Sequence, residues 1–169
     1  MNRLEAVMFE QMKKLFREDG YKVEIEQSID EILHAFFQNI GEIEASFMTE
    51  VNFISAYKDK DVEAMQIFST LSADIREELF PSIEERLNEL NSLCVFGAFA
   101  LFRDGKQIFH KYVVPVSDEN MEITVKNLQT VWKEIFSTIC YLLPYILIIS
   151  NEKDFISLNE YMEVLNEAY

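Results

Sequence analysis

Between Val23 and Phe53 the apolar residues recur at every second position, and that period restricts what the chain can fold into more than any other feature. Side chains alternate across a strand, so a period of two builds a layer with one greasy and one polar side. Val23 and Ile25 alternate with Lys22, Glu24 and Glu26. Ile43, Ala45, Phe47, Val51 and Phe53 alternate with Glu42, Glu44, Ser46, Glu50 and Asn52, the clearest strand of all. Between them, Ile32 to Ile40 is apolar on both sides around Phe36 and Phe37, which predicts a strand covered on each face. Gly41 marks a turn.

Before this layer, Leu4, Val7, Met8, Met12 and Leu15 recur at three- and four-residue spacing, and Gly20 stops the helix they define. After it, Asp59-Lys60-Asp61 is a polar connection to a stretch, Val62 to Leu71, whose residues favour helix and strand in turn. Ser72 is a cap for a helix to about Asn91, which Pro81 bends or divides because it lacks an amide proton. Val95–Phe102 and Gln107–Val116 flank Asp104-Gly105, the signal of a two-residue hairpin turn. Gly97 predicts close approach by another element. Ser117 or Asp118 then caps a long helix with Val125, Leu128, Trp132, Ile135, Ile139 and Leu142 on one stripe, disturbed at its end by Pro144. A last helix opens at Ser150-Asn151 and carries Phe155, Leu158, Met162 and Leu165 on one face. Four large side chains on that face bury enough to make residues 152–169 part of the core. The expectation is one α+β domain over residues 1–169, with an antiparallel sheet in the order α-β-β-β-β-α-β-β-α-α.

Composition sets limits on function. Thirty acidic residues against fifteen basic ones give a formal charge of −15. Binding to nucleic acid draws on Lys and Arg, and a negative field repels phosphates and anionic membrane surfaces alike. Neither nucleic acid nor membrane is an expected partner. The longest apolar run, Ile135–Ile149, is shorter than the roughly 20 residues of a membrane span. The N-terminal turns are charged and lack the apolar stretch of a signal peptide, so the expected location is cytoplasmic. Cys94 and Cys140 sit in apolar stretches without cationic neighbours and read as structural thiols.

The order of elements and several strings resemble the YbjN-like family, which shares its fold with type III secretion chaperones. The resemblance is best from Pro81 to about Ile149, through Asn91, Gly97, Phe99, Asp104, Gly105 and Tyr112 and the helix ending Tyr141-Leu142-Leu143-Pro144. It implies a two-layer fold with helices on one sheet face, a strand at Val62–Leu71, a homodimer, and a role in binding or regulation with no catalytic residues.

Nothing in the residues points to chemistry. His34 and His110 are the two histidines, each on an expected strand and remote in sequence from the cysteines. No glycine-rich phosphate cradle exists, and no metal site, cofactor site or catalytic group is expected. One cluster stands out: Glu24, Glu26, Asp30, Glu31, Glu42, Glu44 and Glu50 fall between Val23 and Tyr57 with no Lys or Arg among them. Glu24 with Glu26, and Glu42 with Glu44, lie opposite the apolar set of their strands. A sheet that keeps like charges together holds either a solvated face or a negative face for a basic partner. The flank of the first helix, Phe9, Met12 and Phe16, packs on the sheet, seals a dimer or holds an apolar segment of another protein. The expected function is a non-enzymatic interaction module: a homodimeric, chaperone-like, adaptor or regulatory protein. The rivals are an enzyme acting on a small molecule in an unidentified cleft and a structural subunit of an assembly.

Overall fold

A computed structural model describes residues 2–18, 20–41, 43–54, 63–152 and 157–168, with side chains to residue 163. Helix α1 (Arg3–Glu18) leads into β1 (Lys22–Gln27), β2 (Leu33–Ile40), β3 (Ala45–Ile54) and β4 (Glu63–Ser72). Then follow a short 3-10 turn at Glu77–Leu79, helix α2 (Phe80–Asn91), the hairpin β5 (Ala98–Phe102) and β6 (Gln107–Val116), and helices α3 (Met121–Asn151) and α4 (Leu158–Ala168). This is the α+β order expected from the sequence. The six strands form one sheet in the order β1-β2-β3-β4-β6-β5, every neighbouring pair antiparallel.

The helices cover one side of the sheet. Its inward residues, among them Leu33, Ala35, Phe37, Phe47, Val51, Ile67 and Phe99, are buried and share one core with all four helices. Aromatic rings hold the centre. Phe37 packs against Phe16 and Trp132 at 5.5 and 5.9 Å between centroids, and Phe47 lies 5.9 Å from Phe136. Edge-on and offset rings of this kind add about 0.5–1.5 kcal/mol per pair to the burial itself.

Several local expectations are corrected. β2 is covered on one side only: Phe37 is buried, whereas Phe36 is 41% exposed. The apolar run was long enough to suggest two covered faces, but the helices all lie on one. Glu44 is not on a strand; it occupies the β2–β3 turn with φ 51°, its N–H bonded to Gly41 O at 3.3 Å. Ser72 ends β4 rather than capping a helix, and α2 begins at Phe80 with Pro81 in its first turn, where the missing amide proton costs nothing. The hairpin loop spans four residues, Arg103 to Lys106, since Phe102 pairs with Gln107. α3 starts after Asn120, three residues beyond Ser117, whose N–H donates to Asn120 Oδ1 at 2.7 Å.

Pro144 does not end α3, which runs on to Asn151. An internal proline costs a helix about 3 kcal/mol, and the turns beyond it bury Tyr145, Ile146 and Ile149 completely. At about 1.5–3 kcal/mol each these offset the loss. Arg76 donates to Asn151 O at 2.8 Å, capping the far end. α3 is long and apolar enough to cross a membrane by length and composition, and half of that apolar window is buried inside the fold. The last helix starts later than expected. Ser157 and Glu160 form a reciprocal cap, Ser157 N–H to Glu160 Oε2 at 2.7 Å and Glu160 N–H to Ser157 Oγ at 3.3 Å. Leu158 and Tyr161 of α4 are buried, while Phe155 and the Leu165 side chain lie outside the described residues.

Candidate docking face

The open side of the sheet is built by the same alternation that fills the core. Outward positions follow from the register in two neighbouring rows. One row runs Glu24, Phe36, Met48, Thr70, Phe109, Ala100 across β1, β2, β3, β4, β6 and β5. The next runs Glu26, His34, Glu50, Phe68, Lys111, Ala98. No residue of either row is buried, and none belongs to the core. Among the described residues, nothing lies over them.

This face carries both apolar and acidic groups. Phe68 and Phe109 stack at 4.5 Å between centroids, and Phe102 beside them is 46% exposed. Two shallow grooves result. One of about 650 Å3 is lined by Glu24, Glu26, Ser28, His34, Phe36 and Met48. The other, about 380 Å3, is lined by Glu50, Gln66, Phe68, Phe102, Gln107 and Phe109. The carboxylates are spaced rather than paired. Gln38 Nε2 donates to Glu24 Oε1 at 2.9 Å, and His34 stands between Glu26 on β1 and Glu50 on β3. The expected repulsion between facing carboxylates is therefore relieved by what sits opposite each one.

The structure sorts the sequence candidates. Glu24 and Glu26 are exposed on the open face, as alternation implied. Glu44 is exposed in a turn beyond the end of that face, and Glu42 lies outside the described residues. Phe9, Met12 and Phe16 are buried beneath the sheet at 1%, 0% and 0% exposure. Phe9 packs edge-on to Phe53 at 5.4 Å and Phe16 to Trp132 at 4.8 Å. Of the readings open for this flank, core packing is the one the fold uses, and it offers no surface to a partner. Sequence reasoning missed Phe36, Met48, Phe68 and Phe109 as one surface. The signal existed in the two-sided apolarity of β2, but it read as a second buried side, and Val62–Leu71, which holds Phe68, read as helix and strand in turn.

The groups with chemical potential are dispersed. His110 is fully buried, its Nε2 2.9 Å from Phe96 O, and burial holds its pKa below the usual histidine range. Its Nδ1 has no partner. Neither Cys94 nor Cys140 is in a disulfide, and burial pushes the Cys94 thiol upward, away from reactivity. Among the described residues no group of His, Cys, Asp or Glu is placed to hold a metal ion. A third groove of about 420 Å3 lies between β6 and α3, lined by Phe96, Tyr112, Val114, Leu128 and Val131 and without a charged residue. The β6 edge beside it is blunted: Pro115 has no N–H, and its carbonyl accepts from Asn120 Nδ2 at 3.3 Å. No protein-family model matches the chain, and no curated protein matches its sequence.

Proposed function

We propose that the protein is a non-enzymatic interaction module that docks a basic, partly apolar region of another protein on its open sheet face. The observation that carries this reading is the uncovered layer on which Phe36, Met48, Phe68 and Phe109 lie beside Glu24, Glu26 and Glu50. Contiguous apolar surface rimmed by charge marks interaction sites, and the −15 charge selects cationic partners. The order of four strands, a helix, a hairpin and two helices supports kinship with the YbjN-like family and its chaperone-like fold. Cytoplasmic location and a homodimer are part of the same reading.

Affinity capture with wild type, with a Phe36→Asp/Glu26→Lys variant, and with a control altered at exposed Glu134 on α3 tests the proposal. A partner held by wild type and control, lost with the face variant and released by salt supports it. An identical captured set for all three proteins overturns it. Sedimentation gives the mass that decides on the dimer.

A second reading, an enzyme, is favoured by one observation: His34 Nδ1 lies 3.3 Å from Glu50 Oε1 at the wall of an open groove, a base held by a carboxylate. His34→Ala separates the two. Capture survives it if the face only binds.

A further inference from the structure

We infer that the occupant of the open face is an amphipathic basic α-helix of three to four turns, lying across the strands with its N-terminus over β1. This rests on the docking reading above and names the shape and chemistry of the partner.

The two rows on the face form a template in which one row carries three large apolar side chains and the other two carboxylates. Phe36, Met48 and Phe109 lie in one row on β2, β3 and β6. Strands are spaced about 4.8 Å, so three intervals carry Phe36 to Phe109 over about 14 Å. At 1.5 Å per residue that is roughly ten residues of helix, enough for apolar side chains at i, i+3 or i+4, i+7 and i+10. The neighbouring row, two residues along each strand, holds Glu26 on β1 and Glu50 on β3. Two strand intervals separate them by about 10 Å, the spacing of i and i+7 on a helix. One helix thus meets aromatic and Met side chains with its apolar stripe while two cations on its flank reach two carboxylates.

Backbone satisfaction excludes an extended segment. A strand adds to a sheet at an edge, where main-chain groups pair. Laid across the middle of a face, an extended chain buries its own N–H and C=O groups with nothing to receive them, at a cost of several kcal/mol. A helix satisfies its own. Charge excludes two other occupants. A second copy would add three carboxylates and one lysine to a face that already holds the same excess, and a nucleic acid would stack bases on the rings only by bringing phosphates beside those carboxylates. Polarity across the face sets direction. Carboxylates occupy the β1–β3 end, whereas Lys111 is exposed at the β6 end of the acidic row. The positive N-terminal end of a helix dipole belongs over the first and the negative C-terminal end over the second.

The test uses the full chain and two capped synthetic peptides of one composition, rich in Arg, Leu and Phe. One is ordered at helical period with Arg along one flank, the other at period two. Nuclear magnetic resonance maps the contacted residues, and circular dichroism reports peptide helicity. Expected are shifts at Phe36, Met48, Phe68 and Phe109, a gain of helicity on binding, and at least a roughly tenfold advantage for the helical-period peptide, or about 1.4 kcal/mol. Glu26→Lys and Glu50→Lys should each weaken it, and Glu26→Gln less so. Equal or tighter binding of the period-two peptide at the same residues overturns the helix while leaving the face a docking site. Binding of either peptide elsewhere, or of neither, overturns the inference. Shifts on this face that depend on protein concentration alone identify a second copy and overturn it as well.

Discussion

Thr49 Oγ1 and Ser69 Oγ lie 2.8 Å apart with both side chains fully buried, a hydroxyl pair bridging β3 and β4 on the core side of the sheet. They are cross-strand partners, and the next residue in the row is His110. A polar seam therefore runs through a layer whose other buried inward positions are apolar.

Each hydroxyl of that pair is satisfied by the other. Thr49→Val leaves Ser69 Oγ buried without Thr49, which costs about 1–3 kcal/mol. The double change Thr49→Val/Ser69→Ala removes the orphan and should recover part of the loss. Urea midpoints of the wild type, both single variants and the double variant check this. Additive losses in the double variant refute the coupling.

His110 makes stability depend on pH in a defined window. Its folded pKa is lowered by burial, so the unfolded chain takes up its proton first, near 6.5. Below that value the unfolded state binds more protons, and stability falls as pH drops toward the folded pKa. At higher pH the contribution is intact. His110→Gln keeps a donor for Phe96 O but does not titrate. It should be less stable at pH 7.5 and show a shallower decline between pH 6.5 and 5. Parallel declines for the two proteins would place the titration elsewhere.

His34 reports on the open face. It separates Glu26 from Glu50 across three strands, with Glu50 at 3.3 Å. His34→Glu places three carboxylates side by side. Like charges opposite one another destabilise by roughly 0.2–1 kcal/mol per pair, about 1–4 °C in midpoint for a domain of this size. The loss should shrink in 0.5 M salt, and His34→Gln should show little of it. A loss unaffected by salt means that packing, not charge, sets His34's role.

The fold was legible where one period ran uninterrupted, and the face was not. Val23, Ile25, Phe47 and Val51 alternate cleanly, so β1 and β3 could be read. Gly97 also kept its promise of a close approach: with φ 76°, an added Cβ there would lie 2.5 Å from Lys111 O and 2.6 Å from the His110 ring. Pro144 misled because local helix cost is visible in sequence and the burial that offsets it is not. Phe36 misled for a related reason. An apolar residue on a strand reads as covered, and only the placement of all the helices on one side shows that this one is left open.

The last helix tests how far the core extends. Leu158 and Tyr161 are each 7% exposed, and the Tyr161 ring lies 5.0 Å from that of Tyr145 in α3. Truncating a buried Leu to Ala costs about 2–5 kcal/mol and an aromatic about 3–5, against a whole-domain stability of about 5–15. Leu158→Ala should therefore lower the thermal midpoint by several degrees, and deletion of residues 152–169 by more, since it also uncovers Tyr145. Ser157→Ala isolates the cap and should cost about 1 kcal/mol. Thermal scans of the four proteins rank these effects. An unchanged midpoint after the deletion would show that α3 and the sheet close the core without α4.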